Sequence, residues 1–230
     1  MVSVISPDIV GPPRSHSAKR ESIIEAAARV FCQEGFGGSN IDLIAAEAGV
    51  SRQTVYNHHG DKEKLFTAVV KEVTDRTNVS VFETLATFPD HPQDLHAELT
   101  AFGVRFNKNC LCNRDGLFLR KLLQSEGERC PELFATWREN GPGRILAALA
   151  ARFARLAHAG FLEIDDPDLA ARQFLALNNA DLQMSFTFGD KPSEEDLQKA
   201  SSNAVTTFLR AFGRKQQPEG KSGNPAGPRG

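Results

Sequence analysis

A short segment of the sequence, Ser51–His59, concentrates side chains that can form hydrogen bonds with nucleic-acid bases. Arginine can donate two hydrogen bonds to guanine, glutamine and asparagine can pair with adenine, and the threonine methyl group can pack against thymine. The segment holds these residue types close together, as Arg52, Gln53, Thr54 and Asn57. This composition predicts a surface that reads base edges in the major groove of DNA.

Residues around these four could bind phosphates or hold the reading segment in place. Tyr56, the only tyrosine in the chain, can pack its ring and donate a hydrogen bond from its hydroxyl to a phosphate. His58 lies near the end of the segment, where positive charge is favourable. Lys62 adds a charge beside the free backbone amides of the next helix, which form an anion site. The predicted DNA-binding residues are Asn40, Ser51, Arg52, Gln53, Thr54, Tyr56, Asn57, His58 and Lys62.

Two short helices with a tight turn between them would position these side chains. Asn40 and Ser51 can each cap the start of a helix, because their side chains accept hydrogen bonds from free backbone amides. Gly49 ends the first helix, Gly60 ends the second, and Val55 is expected to point into the core. Two short helices joined by a glycine-containing turn form the helix-turn-helix motif.

The remaining chain is predicted to be almost entirely helical, because its apolar residues recur at steps of three and four. Gly35 is expected to end the first helix, with Phe36 folding back onto it, and Gly141–Gly143 is expected to break another helix. The predicted helices span 18–34, a segment from Asp61, a segment from Pro92, then 113–128, 131–140, 145–159, 166–188 and 193–212. The predicted fold class is all-α.

Composition and charge exclude several classes of protein. The formal net charge is −2, so the chain is not expected to coat nucleic acid by bulk charge. No apolar run approaches the length of a membrane span, and the first residues lack the pattern of a secretory signal. The 4 cysteines are therefore expected to be reduced thiols in the cytoplasm.

The segment 19–66 resembles the N-terminal domain of the tetracycline-repressor (TetR) family of transcriptional regulators. The matching residues are Ala26, Ala27, Phe31, Gly35, Phe36, Ile44, Ala45, Ala48–Ser51, Thr54–Tyr56, Lys62, Glu63, Leu65 and Phe66. One departure is His59, which stands where the family usually has an aromatic or aliphatic residue. The segment 127–177 resembles the AefR-like C-terminal subgroup more loosely.

The resemblance implies a homodimeric repressor that binds a palindromic operator on double-stranded DNA and is released by a small-molecule effector. It implies a homeodomain-like three-helix helix-turn-helix domain at 18–64 and a ligand-binding and dimerisation domain at 65–213. Composition predicts a flexible arm at 1–17 and a disordered tail at 214–230. The helices 166–188 and 193–212 would form the dimer. No cofactor or metal is expected. Candidate effector-binding residues are Phe102, Phe106, Phe118, Trp137 and Asn178.

Two alternatives stay open. A thiol- or metal-responsive regulator could use Cys110, Cys112 or Cys130, or the pair His58 and His59. Adjacent residues on a helix point about 100° apart, which argues against a shared metal ion. The other alternative is an enzyme, but the sequence has no catalytic constellation, no glycine-rich phosphate loop and no zinc-spaced cysteine and histidine set.

Overall fold

Helices make up nearly all of the regular structure in the computed structural model, which describes residues 16–188 and 190–214 apart from the side chains of His16, Cys110 and Leu111. In chain order the helices are α1 (His16–Gly38), α2 (Ile41–Ala48), α3 (Arg52–His59), α4 (Lys62–Leu85), α5 (Leu95–Phe106), α6 (Arg114–Glu126), α7 (Pro131–Arg138), α8 (Arg144–His158), α9 (Pro167–Ala180), α10 (Gln183–Phe188) and α11 (Glu194–Phe212). Two π-helical turns, Asn107–Leu111 and Glu139–Gly143, follow α5 and α7.

The prediction of an all-α fold is confirmed. Within the described ranges no strand forms, and the one extended pairing is an isolated antiparallel bridge between Leu162 and Gly213. The predicted arm at 1–17 and tail at 214–230 lie outside the described residues, except for positions 16, 17 and 214.

The chain divides into two packed units. Of the described residues, the first unit combines 16–81 with 110–144, and the second combines 82–109 with 145–188 and 190–214. The first unit therefore holds α1–α3, most of α4, α6 and α7, whereas the second holds α5, nearly all of α8, and α9–α11. The predicted domain boundary after residue 64 falls within α4, and it stays a prediction.

The core of the first unit is built on α1 and α4. Ile23 and Phe31 on α1 and Phe66 on α4 are almost fully buried. Phe31 and Phe66 meet edge to face with 5.1 Å between their ring centroids, and the Phe36 ring lies 4.9 Å from that of Phe66. Phe36 can return to this core because Gly35 adopts a φ of 69°, which interrupts the regular helix. The predicted turn at Gly35 is thus confirmed.

The core of the second unit is a cluster of phenylalanines, one from each of four helices. Phe102 on α5, Phe153 on α8, Phe174 on α9 and Phe208 on α11 are fully buried. The rings of Phe153, Phe174 and Phe208 lie 4.9 to 5.3 Å apart, in the range of favourable aromatic pairs. This cluster accounts for part of the chain's high phenylalanine content.

Two predicted helix boundaries are wrong. The helix expected to start at Pro92 begins at Leu95, because Asp94 caps it by accepting a hydrogen bond from the N–H of Ala97 at 2.9 Å. The helix expected at 166–188 is divided into α9 and α10 by a turn at Asp181 and Leu182. Leu182 is buried in this turn.

The expected break at Gly141–Gly143 is also wrong, because a wider π-helical turn carries the chain from α7 into α8 with Pro142 inside it. Side chains bond the backbone oxygens around the proline. Asn140 donates to the carbonyl of Thr136, and Asn78 donates to the carbonyl of Asn140, both at 2.9 Å. The proline removes one backbone N–H donor from the turn, and these two amides add side-chain hydrogen bonds around it.

Candidate nucleic-acid interface

Helices α2 and α3 are each capped at their first turn, as the sequence predicts. The Asn40 side chain accepts from the N–H of Leu43 at 2.9 Å, and the Ser51 hydroxyl accepts from the N–H of Thr54 at 3.1 Å. Gly49 follows α2 in the left-handed conformation, with a φ of 65°. Gly60 follows α3 with a φ of 78°. Four residues, Asn40, Gly49, Ser51 and Gly60, therefore define the ends of the two helices of this motif.

Helix α3 fully buries one side chain and exposes three of its polar ones. Val55, which is 1% exposed, is its only fully buried residue and packs in the core of the first unit. Arg52, Gln53 and Asn57 are exposed. One turn of helix separates Gln53 from Asn57, and the Gln53 amide nitrogen donates to the Asn57 side-chain oxygen at 2.8 Å. The outward face therefore presents a guanidinium next to a pair of carboxamides.

The guanidinium of Arg52 is held by two residues. Its Nη1 lies 3.3 Å from the Asp42 carboxylate on α2, and its Nη2 donates to the Tyr56 hydroxyl at 3.3 Å. The Arg52 Cζ atom lies 5.4 Å from the centroid of the Tyr56 ring, within cation–π range. The hydrogen bond with Tyr56 and the charge of Asp42 raise the pKa of Arg52. Sequence reasoning missed Asp42, since the contact depends on how α2 crosses α3.

Lys62 has contacts that the sequence did not predict. Its Nζ donates to the carbonyls of Phe36 and Ser39 at 2.8 and 3.0 Å, and lies 4.4 Å from the centroid of the Phe36 ring. These atoms belong to the end of α1, after the kink at Gly35, and to the turn that follows it. An ammonium group has three N–H donors, so two bonds to carbonyls leave one for another acceptor.

The two histidines at the end of α3 have half-buried side chains, and their ring centroids lie 6.2 Å apart. The Nε2 atom of His59 is buried and has no hydrogen-bond partner within the described ranges. Burial, aided by the positive charges of Arg20 and His58, lowers the pKa of His59 to about 4. His59 is therefore a neutral packing residue at neutral pH.

The predicted effector-binding residues fall into both units. Phe102, Phe106 and Asn178 lie in the second unit, and all three are buried. Asn178 donates to the carbonyl of Gly103 at 3.1 Å and thereby links α9 to α5. Phe118, which is buried, and Trp137, which is half-buried, lie in the first unit. Their role in effector binding stays a prediction.

The described part of the chain contains no assembled site for the thiol or metal chemistry of the alternative regulator. Cys32, Cys112 and Cys130 form no disulfide among the described residues and have partly buried side chains, and the side chain of Cys110 lies outside those residues. Across residues 16–188 and 190–214, no three histidine, cysteine, aspartate or glutamate side chains are grouped to hold a metal ion. The same ranges contain no helix with the length and apolar character that a membrane span requires.

Comparison with protein families matches both parts of the chain. Residues 23–69 match the family model described as bacterial regulatory proteins, tetR family. Residues 97–214 match the model described as AefR-like transcriptional repressor, C-terminal domain. The second match alone covers half of the chain.

Curated relatives resemble the chain over a limited segment. The chain is 34% identical over 84 residues to the HTH-type transcriptional activator FasR of Mycolicibacterium smegmatis, and this match covers 36% of this chain and 38% of FasR. It is 35% identical over 83 residues to the HTH-type transcriptional repressor NicS of Pseudomonas putida, covering 36% of this chain and 39% of NicS. The chain thus spans less than two fifths of the length of these two relatives.

Solved structures resemble this protein over nearly all of its described residues. A TetR-family transcriptional regulator from Mesorhizobium loti superposes with a TM-score of 0.76 and 29% identity, covering 87% of this chain and 99% of that one. The flavonoid-responsive regulator FrrA gives a TM-score of 0.64 with 27% identity, covering 87% of this chain and all of FrrA.

Proposed function

Because the chain belongs to the TetR family of bacterial regulatory proteins, we propose that it is a transcriptional repressor that binds operator DNA through α3 and leaves it when an effector binds. One observation carries the DNA-binding part of this proposal. Around the single buried Val55, α3 exposes Arg52, Gln53 and Asn57, which are side chains suited to guanine and adenine. We therefore propose that this face of α3 reads the operator.

The remaining predicted residues support the reading face from its edges. Ser51 and Asn40 cap α3 and α2, and both are exposed, so their side chains can also meet the phosphate backbone. Thr54 and Tyr56 are partly exposed on α3, and His58 lies in its last turn. Lys62 keeps one N–H for a phosphate. We expect these residues to set affinity and orientation, with base discrimination coming from Arg52, Gln53 and Asn57.

We propose that the protein acts as a homodimer through α9, α10 and α11. The solvent side of α9 includes Leu169, Ala176 and Ala180, and small residues one turn apart allow a second helix to approach closely. Met184 and Phe188 on α10 are 63% and 72% exposed, which is unusual for large apolar residues. A two-fold symmetric dimer would read a palindromic operator.

The effector is proposed to be an apolar, aromatic small molecule. In the second unit, Phe102 and Phe106 supply aromatic surface and Asn178 supplies a buried amide. Phe118 and Trp137 are aromatic candidates in the first unit. FrrA, to which the chain is similar, is named as responsive to flavonoids, which are aromatic.

Selection of bound duplexes from a random DNA library tests the DNA-binding function. We expect the purified chain to enrich a palindrome and the variant Gln53→Ala/Asn57→Ala to lose that enrichment. Lys71→Ala removes an exposed side chain from α4 and serves as the control. Failure of the native chain to enrich any sequence, or equal enrichment by the α3 variant, would contradict the proposal.

Sedimentation analysis tests the dimer. Ala176→Arg places a long charged side chain on the proposed interface and should yield monomers. Ala101→Arg makes the same change at an exposed position of α5 in the same unit and should leave the dimer intact. A dimer that survives the first change would require a different interface.

A further inference from the structure

We propose that Asp42 on α2 is a specificity-determining residue, which orients the guanidinium of Arg52 so that each subunit reads a guanine at one position of the operator half-site. The inference rests on the function proposed above and assigns a base preference to that site. Asp42 acts through Arg52, so it is a positioning residue.

The geometry fixes the guanidinium between two helices. The Asp42 carboxylate approaches Nη1 from α2, while the Tyr56 hydroxyl accepts from Nη2 one turn further along α3, both at 3.3 Å. The Tyr56 ring adds a cation–π contact at 5.4 Å. Three contacts therefore restrain a long, flexible side chain on the exposed face of α3.

The restrained guanidinium keeps the donors that guanine needs. Each terminal nitrogen carries two N–H groups, so one bond from Nη1 and one from Nη2 leave a second N–H on each, in addition to Nε–H. Guanine presents two acceptors, O6 and N7, on its major-groove edge, which a pair of arginine donors fits. Adenine and cytosine present an amino group there, which an arginine donor cannot use.

The charge of Asp42 also disfavours the competing role for Arg52. An unrestrained arginine on a DNA-binding helix can bind a phosphate, which carries no sequence information. A carboxylate beside the guanidinium repels the phosphate backbone, so the pair is driven away from that contact and toward the bases. Asp42 is thus expected to raise discrimination while lowering general affinity for DNA.

The ion pair is not expected to contribute much to folding. The Arg52 and Asp42 side chains are 59% and 65% exposed, and ion pairs exposed to that degree stabilise proteins little. Loss of Asp42 should therefore appear in the base preference and not in the unfolding transition. A residue with a purely structural role would show the opposite pattern.

A second ion pair in the same unit supplies a matched control. Glu47, also on α2, pairs with Arg29 on α1 at 2.7 Å, and these side chains are 45% and 49% exposed. Glu47→Gln and Asp42→Asn each remove one negative charge from the same helix. Both should raise general DNA affinity through the weaker repulsion of phosphates, and only Asp42→Asn should change what Arg52 reads.

The experiment measures dissociation constants for the selected operator and for versions in which each guanine of the half-site is replaced. We expect Asp42→Asn to reduce discrimination at one guanine by roughly 5- to 10-fold, within the range of one bidentate contact. Arg52→Ala should abolish discrimination at the same position, and the double variant should lose nothing further there. Glu47→Gln should keep the native preference.

Three results would overturn the inference while leaving the proposed function in place. They are an unchanged preference in Asp42→Asn, relaxation at different positions in Asp42→Asn and Arg52→Ala, and a uniform loss of affinity in Arg52→Ala. If the native chain selects no sequence at all, the proposed function and this inference both fail. Circular dichroism and thermal unfolding of each variant establish that the fold is intact.

Discussion

The carboxylate of Glu126, the last residue of α6, accepts a hydrogen bond at 3.1 Å from the backbone N–H of Phe36, which lies 90 positions earlier in the chain. Glu126 is only 4% exposed. Its second oxygen lies 3.6 Å from Nη1 of Arg129, which is within ion-pair distance but too long for a hydrogen bond. A β-carbon at Gly35 would lie 3.4 Å from the bonded oxygen, so the carboxylate packs closely against the turn that leads into α2.

We expect Glu126→Ala to lower both the stability and the DNA affinity of the protein. Without an acceptor, the part-buried N–H of Phe36 would cost about 1–3 kcal/mol in the free energy of unfolding. The turn would also hold α2 and α3 less firmly. Glu126→Gln keeps a side-chain oxygen and should be affected less. Urea unfolding and operator binding measure the two effects, with Gln124→Ala, an exposed site on the same helix, as the control. Equal stability of the Ala and Gln variants would argue against the hydrogen bond.

Lys62 on α4 contacts the same turn. Its replacement distinguishes a role in stabilising that turn from a role in binding a phosphate. Lys62→Met keeps most of the side-chain length and removes the charge that two carbonyls share. We expect a loss of about 1–2 kcal/mol in the free energy of unfolding. If the third N–H also binds a phosphate, the slope of log affinity against log salt concentration should fall by about one. An unchanged slope with reduced stability would assign Lys62 to the turn alone.

Sequence reasoning succeeded where structure depends on neighbouring residues. The caps at Asn40 and Ser51 are local hydrogen bonds that the residue types and their positions indicate. The burial of Val55 follows from helical periodicity in the same way.

Contacts between separate helices could not be predicted from one sequence. The Asp42–Arg52 ion pair joins α2 to α3. The Glu126–Phe36 hydrogen bond joins the end of α6 to a residue near the end of α1. Each depends on a crossing geometry that no local spacing encodes. The π-helical turn at Pro142 was missed for a related reason, because it needs Asn78 from a distant helix to bond the carbonyl of Asn140.

The protein is expected to lose stability on mild acidification because of His59. The pKa of this residue is lowered from 6.5 to about 4 in the folded state, chiefly by burial. Between these values the unfolded chain binds more protons than the folded chain, so this contribution is fully present above pH 6.5 and is lost as the pH falls toward 4. Allowing for solvent around the half-exposed ring, the loss is about 1–2 kcal/mol.

His59→Phe tests this expectation, since it keeps an aromatic ring in the same place and removes the titrating group. Urea unfolding of the variant should depend less on pH than that of the native protein between pH 6.5 and 4. Parallel curves for the two proteins over that range would show that His59 does not titrate as its burial requires.

The last prediction concerns Gly103, where α5, α9 and α11 meet in the second unit. A β-carbon at this position would lie 2.7 Å from the side-chain oxygen of Asn178 and 3.1 Å from both Cβ and Oγ of Ser201. Asn178 and Ser201 are almost completely buried. The Asn178 amide is also fixed by its hydrogen bond to the Gly103 carbonyl, so it cannot move aside cheaply.

Gly103→Ala should therefore destabilise the protein by about 1–3 kcal/mol through overpacking, although alanine has a higher helix propensity than glycine. The double variant Gly103→Ala/Asn178→Ala removes the clashing oxygen and should be less destabilised than the sum of the two single changes. Urea unfolding of the four proteins measures this coupling. If α9 and α11 form the dimer, Gly103→Ala should also weaken subunit association in sedimentation experiments, because the displaced Asn178 and Ser201 belong to those helices. Additive effects of the two substitutions would mean that the three helices have room to separate at this point.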